Sequence, residues 1–163
     1  MTKTKFEIKT TGKNILCFAG DYVEDYEIMV PFQELQLCGY KIKILKKKKK
    51  AGETVRKSVN YFDGAQNFRE DRGHDFELNG NFDDIQPEDF DALVIPGGRA
   101  PEYLRMNKKV VEITTHFLTA ADATWKGGDV WAHKNLVTAS AWPAHPEWLA
   151  AFLELLNTKI VNE

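Results

Sequence analysis

Residues 14–19 read NILCFA, with no polar side chain from Ile15 to Ala19. A strand with one face in water alternates apolar and polar positions, so an unbroken apolar run marks a strand covered on both faces. The residues that follow constrain how it is connected. After the polar turn GDYVEDYE, the segment IMVPFQELQLCG carries apolar residues at helical spacing and stops at Gly39, and YKIKIL then alternates as a second strand. Strand, helix and strand in that order predict a βαβ unit and a parallel sheet. ALVIPGG, residues 92–98, is another buried strand, ending in paired glycines. Residues 101–120 read as one amphipathic helix opened by Pro101 and Glu102. VWAHKNLVTASAW reads as two short strands around a turn at Lys134 and Asn135, and HPEWLAAFLELLN as a closing helix. Residues 51–81 are polar and irregular, with short strands or a hairpin expected in RGHDFELNGNF. The five lysines from Lys46 to Lys50 and the acidic DDIQPEDFD are expected in solvated loops rather than as a targeting signal or a site.

A chain of 163 residues can bury one substantial core, so a single domain over residues 1–163 is expected. Hydrophobic residues at 43% with charged residues at 28% place it among soluble globular proteins. The formal charge of −2 gives no basis for a nucleic-acid partner or for attraction to an acidic membrane. The first residues, MTKTKFEIKTTGKN, hold no apolar signal core, and no run approaches the roughly 18 apolar residues of a membrane span. Two cysteines make no disulfide framework, so a reducing, cytoplasmic setting is expected.

Chemistry has three candidate locations. In an open α/β sheet, ligands collect at the carboxyl ends of the strands. Acids in the turn after the first strand, Glu24, Asp25 and Glu27, would project there, with Asp21 and Tyr22 beside them; the same acids equally serve to cap a helix and complement its dipole. The second location is IPGGRAPE. Its glycines Gly97 and Gly98 let the backbone approach a ligand and aim N–H groups at an oxyanion, with Arg99 adjacent, or else serve a tight turn on steric grounds alone. The third is a nucleophile, and here the spacing offers none. Cys17 lies inside a strand, Cys38 ends a helix, and Ser140 has no G-x-S-x-G around it. His74, His116, His133 and His145 are too scattered for a metal set, so no metal site is expected.

The stretches ILCFAGDYVEDYEIMVPFQELQLCGYKIKI, RGHDFELNGNFDD, DFDALVIPGGRAPEYLRMNKKVVEI and NLVTASAWPAHPEWLAAFLELLNTKI together resemble the DJ-1/PfpI superfamily, and within it the plant DJ-1-like glyoxalases and intracellular-protease-like proteins. The resemblance implies a flavodoxin-like α/β three-layer sandwich, related to class I glutamine amidotransferases, with a mostly parallel sheet and assembly into a homodimer or higher homo-oligomer. It implies cofactor-independent conversion of a small 2-oxoaldehyde such as methylglyoxal, by a cysteine on a nucleophile elbow in a stretch like AICHG. Glu27 would move protons, Glu102 would contact the elbow histidine across a subunit contact as in some peptidase-like members, Gly97 and Gly98 would form the oxyanion site, and Asp21, Tyr22, Arg99 and His145 would line the pocket. Peptidase-like members imply a hydrolase as an alternative activity. The sequence departs from the family pattern at one place. After VVEITTHFLTA the family continues into a buried strand, the elbow, a helix and a further strand, about 40 residues at average element lengths. This chain passes directly to ADATWKGGDVW, so an internal deletion near residues 120–123 is expected, with the central strand, the elbow helix and the catalytic cysteine absent. The slot so created would either be closed by NLVTA pairing with ALVIP or leave buried backbone groups unpaired, at about 1–3 kcal/mol each. An inactive or impaired enzyme follows, or a non-catalytic module that binds a partner or a full-length relative.

Overall fold

The computed structural model describes residues 6–46, 48–61, 69–119 and 130–162. The expected βαβ unit is present. Strand β2 (Asn14–Phe18) runs into a short strand β3 (Val23–Glu24), helix α1 (Asp25–Leu37) and strand β4 (Lys41–Leu45), and β2 and β4 pair in parallel with Cys17 opposite Ile44. On its other side β2 pairs in parallel with β7 (Ala92–Val94), with Cys17 opposite Val94. Four of the five β2 residues are buried, as a central strand requires.

Successive β2 residues serve opposite faces, as the pleat dictates. Ile15 and Cys17 join Ile28 and Leu35 of α1 with Phe152 of helix α4 (His145–Leu155) in one core. Leu16 and Phe18 join Val110 and Ile113 of helix α3 (Lys108–Thr119), with Phe82 and Ile85, in a second core. Two helices on one face and one on the other make the three-layer sandwich. Each fully buried Ile, Leu or Phe contributes about 1.5–3 kcal/mol, so the alternation along five residues carries a large share of the stability.

Other segments depart from the expectation. Strand content within residues 51–81 exceeds the expected short strands or hairpin: β5 (Thr54–Tyr61) and β6 (Arg69–Glu77) form a long antiparallel ladder with a register shift between Arg56 and Ser58, and β5 also pairs in parallel with β3. Residues 101–120 are not one helix. A short helix α2 (Ala100–Leu104) ends before Asn107, whose side-chain Oδ1 accepts from the Lys109 N–H at 3.1 Å and so caps the start of α3. The lysine run is not simply solvated either, because Lys46 and Lys49 both pair with Asp21. In the acidic segment 83–91, Ile85 is buried. The strands β8 (Val130–His133) and β9 (Leu136–Ala139) form the expected hairpin, turning at Lys134 with φ of 51°. A ribbon not anticipated joins β1 (Phe6–Lys9) to β10 (Lys159–Asn162).

Of the two arrangements considered for the sheet, closure by residues 135–139 against β7 is not the one found among the described residues. Strand β9 pairs with β8, and among the described residues no strand pairs with the second edge of β7. Between β7 and β9 lies a cavity of about 390 Å³. A space of that size holds several waters, so the open strand edge need not be left dry and unpaired. The junction near residues 120–123 lies outside the described residues.

Candidate active-site cavity

The cavity follows β7 from Asp91 to Pro96. One side is formed by Thr114, Phe117 and Leu118 of α3, and the opposite side by Pro31 of α1 with Trp148 and Phe152 of α4. Residues 135–139 face β7 across the gap. Most of the lining is apolar, and two titratable groups, Glu27 and His145, enter it near the carboxyl end of the sheet. That is the end at which ligands of parallel α/β sheets bind.

Glu27 is placed by the start of α1. Glu24 is the helix N-cap and its Oε2 accepts from the Glu27 N–H at 2.9 Å. Glu24 itself is 1% exposed, and its Oε1 also receives the Asn60 N–H at 3.5 Å. The acids of this turn therefore divide the two roles between them: Glu24 caps the helix, and Glu27 reaches the cavity. The Glu27 Oε2 accepts from the Gly97 N–H at 2.5 Å. Burial pushes the Glu27 carboxyl above the usual carboxylate range, and the neighbouring Glu24 charge adds to it, against the opposing effect of the Gly97 N–H. A carboxyl held in this way is suited to taking up and returning a proton.

The glycines are needed where they are. A Cβ on Gly97 would run into the Glu27 carboxylate, and Gly98, at φ of 75°, would place a Cβ 2.5 Å from the Tyr22 carbonyl. The Gly97 N–H is taken by Glu27, while among the described residues no acceptor meets the Gly98 N–H. Tyr22, itself at φ of 64°, is fixed by the Arg99 N–H on its carbonyl at 2.9 Å and by the Arg99 guanidinium 3.9 Å above its ring. Arg99 in turn makes a two-pronged pair with Glu70 at 2.7 and 2.8 Å. Asp21 lies in a separate polar cleft with Lys49, Arg56 and Arg72. Burial opposes its ionisation, but Lys46, the Arg56 N–H and Lys49 outweigh that and hold its carboxyl below the usual range.

Of the candidates, Glu27 and His145 line the cavity, Gly97 is joined to it through its N–H on the Glu27 carboxylate, and Gly98 does not line it. Glu102 is exposed on α2 and does not line the cavity, and neither do Asp21, Tyr22 and Arg99. Ser140 is exposed and outside it as well. Burial lowers the basicity of His145. Cys17 is buried in β2, its thiol pushed up to about 12 by desolvation, and Cys38 is buried at the end of α1 and also raised, by burial and then by Glu34. Neither thiol lines the cavity. Among the described residues no group of three His, Cys, Asp or Glu side chains could hold a metal ion, and no helix is long and apolar enough to cross a membrane. Sequence reasoning missed the network beneath the turn, where Asp25 pairs with the buried Lys57 at 2.6 Å and receives the His74 N–H at 3.1 Å. It also missed Trp142, which lies against the Tyr26 ring at 5.4 Å.

Comparison with known proteins agrees with this architecture. The chain is 37% identical over 195 aligned residues to Protein DJ-1 homolog D of Arabidopsis thaliana, covering 93% of this chain and 50% of that protein. It is 33% identical over 105 residues to Deglycase PfpI of Pyrococcus furiosus, covering 64% of this chain and 54% of the relative. The chain thus spans about half the length of these two relatives. Its fold superposes on a DJ-1 superfamily protein of Salmonella typhimurium with a TM-score of 0.67 at 14% identity, covering 89% of this chain and 91% of the other. The DJ-1/PfpI family profile matches residues 13–124, which include the whole βαβ unit, Glu27 and the paired glycines, and the chain belongs to the DJ-1/PfpI family.

Proposed function

We infer that this chain retains the proton-handling half of a cofactor-independent glyoxalase or deglycase site and lacks the nucleophilic half, so that it is inactive or severely impaired as an enzyme. The observation that carries this reading is Glu27, raised in pKa and bonded to Gly97 in a cavity that neither cysteine reaches. In the full reaction a thiolate adds to the aldehyde carbon of a 2-oxoaldehyde and forms a hemithioacetal. An acid such as Glu27 then carries the proton from that carbon to the neighbouring one, reducing the ketone to an alcohol as the aldehyde carbon becomes a thioester. Water releases the hydroxy acid and restores the thiol. Without the first bond there is no thiohemiacetal proton for Glu27 to move. Glu102, exposed on α2, would have served a histidine beside the nucleophile.

Two further facts support an internal deletion near residues 120–123. The match to the Arabidopsis relative runs over 195 aligned residues, more than the 163 of this chain, so that protein carries residues within the match that have no counterpart here. The family profile ends at residue 124, at the same junction. The name of the Pyrococcus relative supports small carbonyl adducts as the ancestral substrate class. A reducing, cytoplasmic location and a homo-oligomer complete the reading, the former supported by two free, buried thiols.

The test is incubation of the purified chain with methylglyoxal and measurement of lactate. No lactate above the protein-free control is expected, and Cys17 is expected to resist thiol reagents until the chain is unfolded. Conversion that disappears in Glu27→Gln would overturn the reading.

A further inference from the structure

We propose that the polar cleft beside Asp21, at the carboxyl ends of β2 and β4, is a binding site for a small phosphate ester of a polyol, with Arg56, Arg72 and Lys49 holding the phosphate. None of these three side chains lines the Glu27 cavity, so enzymatic activity or its absence leaves the role of the cleft untouched.

The topology assembles the cleft from three segments. Asp21 and Tyr22 follow β2, Lys46 and Lys49 follow β4, and Arg56 and Asp75 stand directly opposite each other on the β5–β6 ladder. Because β2 and β4 are parallel neighbours, their loops emerge at the end of the sheet where ligands collect. Asp21 fastens the three segments together. Its carboxylate pairs with Lys46 and Lys49 and accepts the Arg56 N–H at 3.1 Å, while the Arg56 carbonyl accepts the Tyr22 N–H at 2.6 Å. The space they enclose is about 370 Å³, and every residue lining it is among those described.

Charge selects the ligand. Lys46, Lys49, Arg56 and Arg72 meet only the carboxylates of Asp21 and Asp75 at the cleft, which leaves an excess of positive charge. The excess is centred on the two arginines. The Arg56 side chain is exposed, and among the described residues no carboxylate pairs with it, although Asp75 lies opposite in register. Arg72 does pair with Asp75, at 3.3 Å, but the two side chains are 64% and 48% exposed. An exposed pair is weak, so Arg72 is free to turn to a stronger acceptor. Two guanidinium forks facing one space suit the oxygens of a phosphate dianion, which each can meet through two N–H groups. Size and lining select what the phosphate is attached to. A space of about 370 Å³ holds several waters, more than a lone phosphate displaces. Its remaining groups are the hydroxyls of Tyr22 and Thr54 and the Asp75 carboxylate, which bond to hydroxyl groups of a ligand. The Tyr22 ring offers little to an apolar ligand, because the Arg99 guanidinium already covers one of its faces at 3.9 Å.

The test is calorimetric titration of the whole chain at low ionic strength with glycerol 3-phosphate, glucose 6-phosphate, inorganic phosphate and glycerol. At least one ester is expected to bind more tightly than inorganic phosphate, with no binding of glycerol, and amide NMR shifts should centre on Asp21, Tyr22, Thr54 and Arg56. Arg56→Gln removes an exposed side chain and leaves both main-chain bonds of Arg56 in place, so it should melt with the parent. It should weaken ester binding on the order of tenfold or more. Lys41→Gln makes the same change in net charge at the opposite end of β4 from Lys46, and it should leave binding unchanged. Equal losses in the two variants would overturn the proposal, since general attraction of anions would then explain the binding. Failure of both esters to bind, or shifts centred on Glu27 instead, would overturn it as well. Inorganic phosphate binding as tightly as both esters would refute an esterified ligand and assign the cleft to the free ion.

Discussion

Removing the charge from Lys57 isolates the energetics of the turn that carries Glu27. Lys57 is 2% exposed, its ammonium lies 2.6 Å from the Asp25 carboxylate, and Asp25 opens α1. Deleting one member of a buried pair costs about 3–5 kcal/mol, because the remaining charge is left without its partner. In Lys57→Met the Asp25 carboxylate keeps the His74 N–H at 3.1 Å and the His74 ring nitrogen at 3.0 Å, and the His74 side chain is 87% exposed. Partial solvation by that route places the expected loss at the lower end, about 3 kcal/mol, against a total of about 5–15 kcal/mol for a domain. With a slope near 2 kcal/mol per molar urea, the unfolding midpoint should fall by about 1.5 M. Burial works against ionisation of Asp25, but Lys57 and His74 prevail and hold its carboxyl below the usual range. The stability it contributes is therefore present above the ordinary carboxylate pKa and is lost as the pH falls through the lowered one. The gap between parent and Lys57→Met should be widest near neutrality and close in acid, where Asp25 protonates. Adding Asp25→Leu to Lys57→Met should recover much of the loss. A Lys57→Met chain within about 0.5 kcal/mol of the parent at neutral pH would refute the reasoning, since that is the size of an exposed pair.

Glu27 should behave in the opposite sense. Its raised carboxyl pKa means that ionisation destabilises the fold as the pH rises through the shifted value, so Glu27→Gln should melt higher than the parent at neutral pH. The advantage should vanish below about pH 4, where both side chains are neutral, and thermal melts across that range would show it. Gly98→Ala, which forces a Cβ at φ of 75° toward the Tyr22 carbonyl, should lose about 1–3 kcal/mol in chemical denaturation.

What the sequence makes legible depends on how local the cause is. The unbroken apolar run of β2 and the helical spacing of α1 are properties of neighbouring residues, and both elements lie where those patterns place them. The position of Glu27 at the cavity was legible in the same way, since the topology of a parallel sheet brings the turn after a buried strand to the carboxyl ends of other strands. Strand β5 was obscured by a charged residue on an inward-facing position: TVRKSVNY buries Lys57 as well as Val55, and only Asp25, far away in sequence, makes that burial tolerable. The break between α2 and α3 carried a readable signal in Asn107, an N-cap residue within an otherwise helical pattern. That Glu102 lies outside the cavity was not readable, because it depends on the turn angle between β7 and α2. The space between β7 and β9 was only half readable, since the resemblance implied a gap there but left open whether a neighbouring strand would close it.

The β1–β10 ribbon bears on the order of folding. Its four pairs run from Lys9 opposite Lys159 to Phe6 opposite Asn162, so it joins residues near the two ends of the chain and encloses nearly everything between. Loop-closure entropy grows with the logarithm of loop length, and contacts this distant in sequence reward the chain only after the intervening core has drawn them together. The ribbon is accordingly expected to zip last. Tension applied at Phe6 and Asn162 would meet one antiparallel pair at a time, peeling the ribbon open from that end, while β4, β2 and β7 remained paired behind it.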